Sequence, residues 1–111
     1  MTVLIVGGAH QGKAALARAL YPALPCVENL HVRVREELAA GRDPMALLEH
    51  LRGSVVTCDE VGCGVVPIDR ADEAYREAVG RLCYALAAEA DAVVRVTAGL
   101  PQYIKGEKTC I

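Results

Sequence analysis

The chain has 111 residues and a formal charge of −2, which suits one domain, since domains most often run to ~100–150 residues. Hydrophobic residues make up 53% and charged residues 23%, a balance that speaks against intrinsic disorder. With no Phe, no Trp and only four Tyr, the core must be aliphatic; few aromatic platforms and no basic excess remain for nucleic acid, so no nucleic-acid partner is expected.

In chain order, Thr2 to Val6 is a β-branched and aliphatic run ending at Gly7-Gly8. Apolar residues on both faces predict a buried parallel strand. Gly12 to Leu20 is rich in Ala and Leu and predicts a helix closed by Tyr21-Pro22, after which the signal to Val27 is poor. Asn29 to Ala40 predicts a helix with Leu30, Val34 and Leu38 on one stripe and Gly41 as its stop. Asp43-Pro44 starts a short helix, with Asp as cap and Pro at the first helical position. Ser54 to Cys58 predicts a second strand, running into a loop with two glycines, Gly62 and Gly64.

Asp69 caps the longest predicted helix, Arg70 to Ala90, whose Tyr75, Val79, Leu82 and Leu86 share one face. Asp91 to Thr97 predicts a third strand, which Gly99-Leu100-Pro101 breaks. Residues 1–106 form one α/β domain in this reading, and residues 107–111 a loosely ordered tail. Alternating strands and helices imply a mostly parallel sheet. No apolar run approaches the ~20 residues of a membrane span. The opening run lacks a basic lead, and the five cysteines are an odd number. A cytoplasmic protein with reduced thiols is the expectation. Cys58 and Cys63 are five apart with no second close pair, so zinc is not expected.

Gly7-Gly8-Ala9-His10-Gln11-Gly12-Lys13-Ala14 fits G-x-x-x-x-G-K between a strand and a helix. Glycines let the backbone curl so that successive N–H groups point at phosphate, and a helix N-terminus adds partial positive charge. Lys13 would reach the β and γ phosphates of ATP or GTP. Ala14 stands where a hydroxyl usually binds magnesium, so the Mg2+ ligand set is incomplete at this position. The fold expected is a three-layer P-loop NTPase-like domain, a small, mostly parallel sheet flanked by helices. Asp59 and Glu60 follow the second strand, at the sheet edge where ligands sit in open α/β folds. Such carboxylates position magnesium or its waters in phosphoryl-transfer enzymes.

These loop residues, with Glu60-Val61-Gly62-Cys63-Gly64-Val65-Val66-Pro67, Gly80-Arg81-Leu82, Ala98-Gly99-Leu100-Pro101 and Lys105-Gly106, resemble the bifunctional adenosylcobinamide kinase / adenosylcobinamide-phosphate guanylyltransferase family of cobalamin biosynthesis. The resemblance implies a kinase that binds a nucleoside triphosphate and phosphorylates a hydroxyl of cobinamide. It also implies a guanylyl-accepting histidine, for which His31, followed by Arg33 and Arg35, is the candidate here. The family is longer, and the shortfall falls between Cys26 and Ser54. The family carries Ser where Ala14 stands, and usually Asn where Asp59 stands. Asp59 is therefore expected to take the metal-side role. The alternative is a nucleotide-binding or regulatory module without turnover. A homo-oligomer would help a domain with so few aromatics to hold a corrinoid.

Overall fold

A computed structural model of the chain describes residues 1–9, 11–60 and 70–106. The expectations placed on His10, on the Val61–Pro67 turn, on the Asp69 cap and on the tail from Glu107 fall outside the described residues.

Five strands form one sheet: β1 (Val3–Gly7), β2 (Cys26–Val27), β3 (Val55–Asp59), β4 (Ala92–Thr97) and β5 (Leu100–Lys105), in the order β2-β3-β1-β4-β5. The first four run parallel, and β5 pairs antiparallel with β4. Four α-helices accompany them among the described residues: α1 (Lys13–Leu20), α2 (Leu30–Ala39), α3 (Leu48–Leu51) and α4 (Arg70–Glu89). A 3-10 turn at Pro44–Leu47 leads into α3, capped by the Asp43 carboxylate, which accepts the Met45 N–H at 3.1 Å.

Strand alternation sorts the core into two sets. Val3 and Ile5 of β1 point one way, with Val55, Val94 and Val96, and meet Ala17 and Tyr21 of the α1 region. Leu4 points the other way, with Val56, Cys58 and Val93, and meets Leu30 and Val34 of α2, Leu51 of α3, and Val79, Leu82 and Leu86 of α4. The result is three layers, with α1 on one side of the sheet and the other helices on the opposite side. β1 is buried from both sides because it lies between two parallel neighbours and two helical layers.

Two strands depart from the sequence expectation. β2 is only two residues long, and its pairing Cys26↔Val55 and Val27↔Val56 is made across the fold, with no local pattern to announce it. Gly99-Leu100-Pro101 does not end the sheet: Ala98 (φ 51°) and Gly99 (φ 77°) make a two-residue turn, and the chain returns as β5. A turn with both central residues at positive φ matches the twist of a hairpin. Pro101 is tolerated because β5 is an edge strand. Lys105 ends β5 and donates to the Ala87 and Ala88 carbonyls at 2.9 and 3.0 Å, closing the last turn of α4. No helix among the described residues is long and apolar enough to cross a membrane.

Candidate functional site

The glycine loop leaves the carboxyl end of β1 and enters α1. At its start, a Cβ on Gly7 would lie 2.6 Å from the Val96 carbonyl oxygen, so only glycine lets β1 run this close to β4. At its end, Gly12 has φ +83°, the left-handed conformation glycine adopts without strain, and stands as N-cap of α1 with no side-chain cap. Lys13 is therefore the first helical residue. Its ammonium turns back over the loop and donates to the Gly8 carbonyl at 2.6 Å. The same ammonium pairs with Asp59 Oδ1 at 2.7 Å, and the lysine is only 7% exposed.

Asp59 reaches this position because β3 runs in register with β1, Gly7 beside Asp59. Its carboxylate also faces His31 Nε2 at 3.4 Å, and its backbone N–H donates to His31 Nδ1 at 3.1 Å. The histidine thus meets one residue through both nitrogens. Since Nδ1 accepts, the neutral ring carries its proton on Nε2, which lies 3.4 Å from the carboxylate.

Next to this cluster lies an open cavity of about 420 Å³, lined by Ala9, Gln11, Gly12, Lys13, Ala14 and Ala15 from the loop and α1, by Glu28 and Asn29 ahead of α2, and by Thr57 and Asp59 of β3. Thr57 is a buried hydroxyl on the same sheet face as Asp59, and it accepts the Asn29 N–H at 3.0 Å. Asn29 holds φ 59°, an uncommon conformation for a non-glycine residue. The β4–β5 turn braces the loop from the far side: Gly99 N–H donates to the Gln11 carbonyl at 3.1 Å, and Ala98 N–H donates to Gln11 Oε1.

Of the residues singled out by sequence, Lys13, Asp59 and His31 come together, and Ala9, Gln11, Gly12 and Ala14 line the cavity beside them. Gly8 supplies a carbonyl to Lys13, and Gly7 supplies clearance. Glu60 is not part of this group. Its carboxylate takes a bidentate pair from Arg95, Nε at 3.0 Å and Nη2 at 3.1 Å. Arg35 lies over the Tyr75 ring, 4.1 Å from its centroid. Thr57, Asn29 and the bracing role of Gln11 were not singled out by sequence. The one signal for Thr57 is a lone hydroxyl in the apolar run Val55-Val56-Thr57-Cys58.

Ala14 offers no oxygen to a cation, whereas Asp59 and Thr57, both with side-chain oxygens, are among the residues lining the cavity. Magnesium keeps several waters and usually takes only one or two protein ligands alongside phosphate oxygens, so these two residues fit it. No cluster of three or more His, Cys, Asp or Glu side chains suited to a metal occurs among the described residues.

The family model described as cobinamide kinase / cobinamide phosphate guanyltransferase matches residues 27–104, a span that starts after the glycine loop and α1 and takes in His31, Asp59 and the β4–β5 hairpin. A search of curated proteins found no match. Because that span is well over half of the chain, the chain belongs to the cobinamide kinase / cobinamide phosphate guanyltransferase family of cobalamin biosynthesis.

Proposed function

We propose that the chain is a P-loop kinase that binds ATP or GTP at the glycine loop and passes the terminal phosphoryl group to a hydroxyl of a cobinamide-type acceptor. The observation that carries this reading is the placement of Lys13. A buried ammonium opens α1, within reach of the loop carbonyls, and its counter-charge Asp59 stands at the end of a parallel strand. Family membership supports the acceptor class.

The N–H groups of the loop and the first turn of α1 would hold the β and γ phosphates, as a curled backbone and a helix N-terminus favour anions. Lys13 would exchange its present partners for phosphate oxygens. Asp59 and Thr57 would hold magnesium or its waters, which supply charge neutralisation at the phosphates when the metal is bound. The acceptor oxygen attacks the terminal phosphorus in line, the bond to the bridging oxygen breaks, and nucleoside diphosphate leaves. The chain supplies position and charge, the two contributions phosphoryl transfer chiefly requires.

His31 serves in this reading as a positioning residue for Asp59, and not as a guanylyl acceptor, because Asp59 N–H occupies its Nδ1. Guanylyl transfer through His31 would leave an acid-labile, base-stable phosphoramidate on that residue after incubation with GTP labelled at the α phosphate. None is expected.

The decisive experiment is isothermal titration of the full chain with ATP and with GTP, each with and without magnesium, followed by a cobinamide phosphorylation assay. Magnesium-assisted binding that Lys13→Ala strongly weakens, together with phosphorylated cobinamide, is the expected result. Binding without turnover would replace the kinase by a nucleotide-binding module, and absence of binding would remove both.

A further inference from the structure

On the sheet face opposite the cavity, Cys58 of β3 and Cys83 of α4 bring their sulfurs to 3.7 Å. Both are free thiols, and the nucleotide reading uses neither. A disulfide needs about 2.05 Å between sulfurs, so roughly 1.7 Å of closure separates the pair from a bond. The two thiols differ in access. Cys58 is completely buried and its sulfur also lies 3.4 Å from the Asp59 carbonyl, whereas Cys83 is partly exposed. A small reagent therefore reaches Cys83 first, and thiolate is the reactive form.

We propose that Cys58 and Cys83 form a dithiol oxidation site, which a peroxide-class oxidant converts to a disulfide joining β3 to α4. The Cys83 thiolate attacks one peroxide oxygen; the O–O bond breaks, hydroxide leaves and takes up the proton the thiol had released to become water, and Cys83 becomes a sulfenic acid. The Cys58 sulfur then attacks the Cys83 sulfur; the S–O bond breaks and a second water leaves. Two thiols and one peroxide give one disulfide and two waters, with two electrons passing from sulfur to oxygen. Because Cys58 immediately precedes Asp59, the bond ties down the strand end that carries the partner of Lys13.

The test uses the reduced full chain and hydrogen peroxide, and does not depend on nucleotide binding. After peroxide treatment, alkylation with N-ethylmaleimide under denaturing conditions should add three labels where the reduced chain with its five cysteines adds five. Peptide mapping should then find Cys58 linked to Cys83. Cross-linking a strand to a distant helix should raise Tm by roughly 10 °C, reversed by dithiothreitol. Cys83→Ser, or Cys83→Ala should the serine variant fold poorly, should leave Cys58 open to alkylation at the same peroxide dose. A sulfinic acid on Cys83 with Cys58 still alkylatable would overturn the proposal. So would disulfides that run instead through Cys26, Cys63 or Cys110.

Discussion

Asp59 and Glu60 are neighbours in the chain, yet they serve opposite faces of the sheet. Asp59 turns to the α1 side, where Lys13 and His31 hold it beside an open cavity. Glu60 pairs with Arg95, whose position between Val94 and Val96 turns it to the other side, above the layer of α2, α3 and α4. The α1 side is thinly covered at its carboxyl edge, with one short helix and a loop. The opposite side is packed by Leu30, Val34, Val79, Leu82 and Leu86, all but fully buried. The α1 face therefore sets a paired lysine and carboxylate beside a cavity, and the other face spends most of its residues on stability.

Substitutions on the two faces should separate these roles. Leu82→Ala empties a fully buried position on the packed face and should cost about 2–5 kcal/mol in chemical denaturation. Nucleotide affinity of the folded fraction should stay unchanged; a parallel loss of affinity would mean that the two faces are not independent. On the other face, Lys13→Ala removes the charged donor and should weaken ATP binding by roughly 100-fold in calorimetry, the equivalent of two lost charge-assisted hydrogen bonds.

Asp59→Asn keeps the shape of the side chain and removes its charge. The strengthening of ATP binding by magnesium should fall by about tenfold, one such contact. Glu60→Gln, one residue along, should change it less than about twofold, since a half-exposed pair such as Glu60–Arg95 contributes little. Equal effects from the two variants would erase the distinction between the faces. Gln11→Ala should have the smallest effect. It removes the contact to the hairpin turn, and hydrogen exchange at the Ala98 amide should quicken while Tm barely moves.

Much of the candidate site was legible because its parts are local. The loop spacing, its glycines and Lys13 all lie within eight consecutive residues, and the strand before and helix after are announced by composition. Asp59 was legible as a carboxylate at a strand end. What could not be read was direction. A side chain's face follows from the parity of its position in the strand and from which neighbour the strand chooses, so Asp59 and Glu60 looked equivalent until β3 paired with β1. His31 was legible as a histidine on a helix, but its hydrogen bond with Asp59 joins residues 28 apart. Cys58 and Cys83 were legible as core positions; their closeness rests on how α4 lies across the sheet.

By itself, the sequence determined an aliphatic α/β domain, three of its strands, the helices and a glycine loop between strand and helix, since these follow from periodicity, capping and glycine placement along short stretches of chain. Only the tertiary structure decided the edges and the partners. β2 exists because Val55 and Val56 offer it a ladder, and β5 exists because a turn with two positive φ angles sends the chain back against β4. Local preference carries no information about which distant backbone will accept a hydrogen bond or which charge will lie beside Lys13. Packing sets both at once.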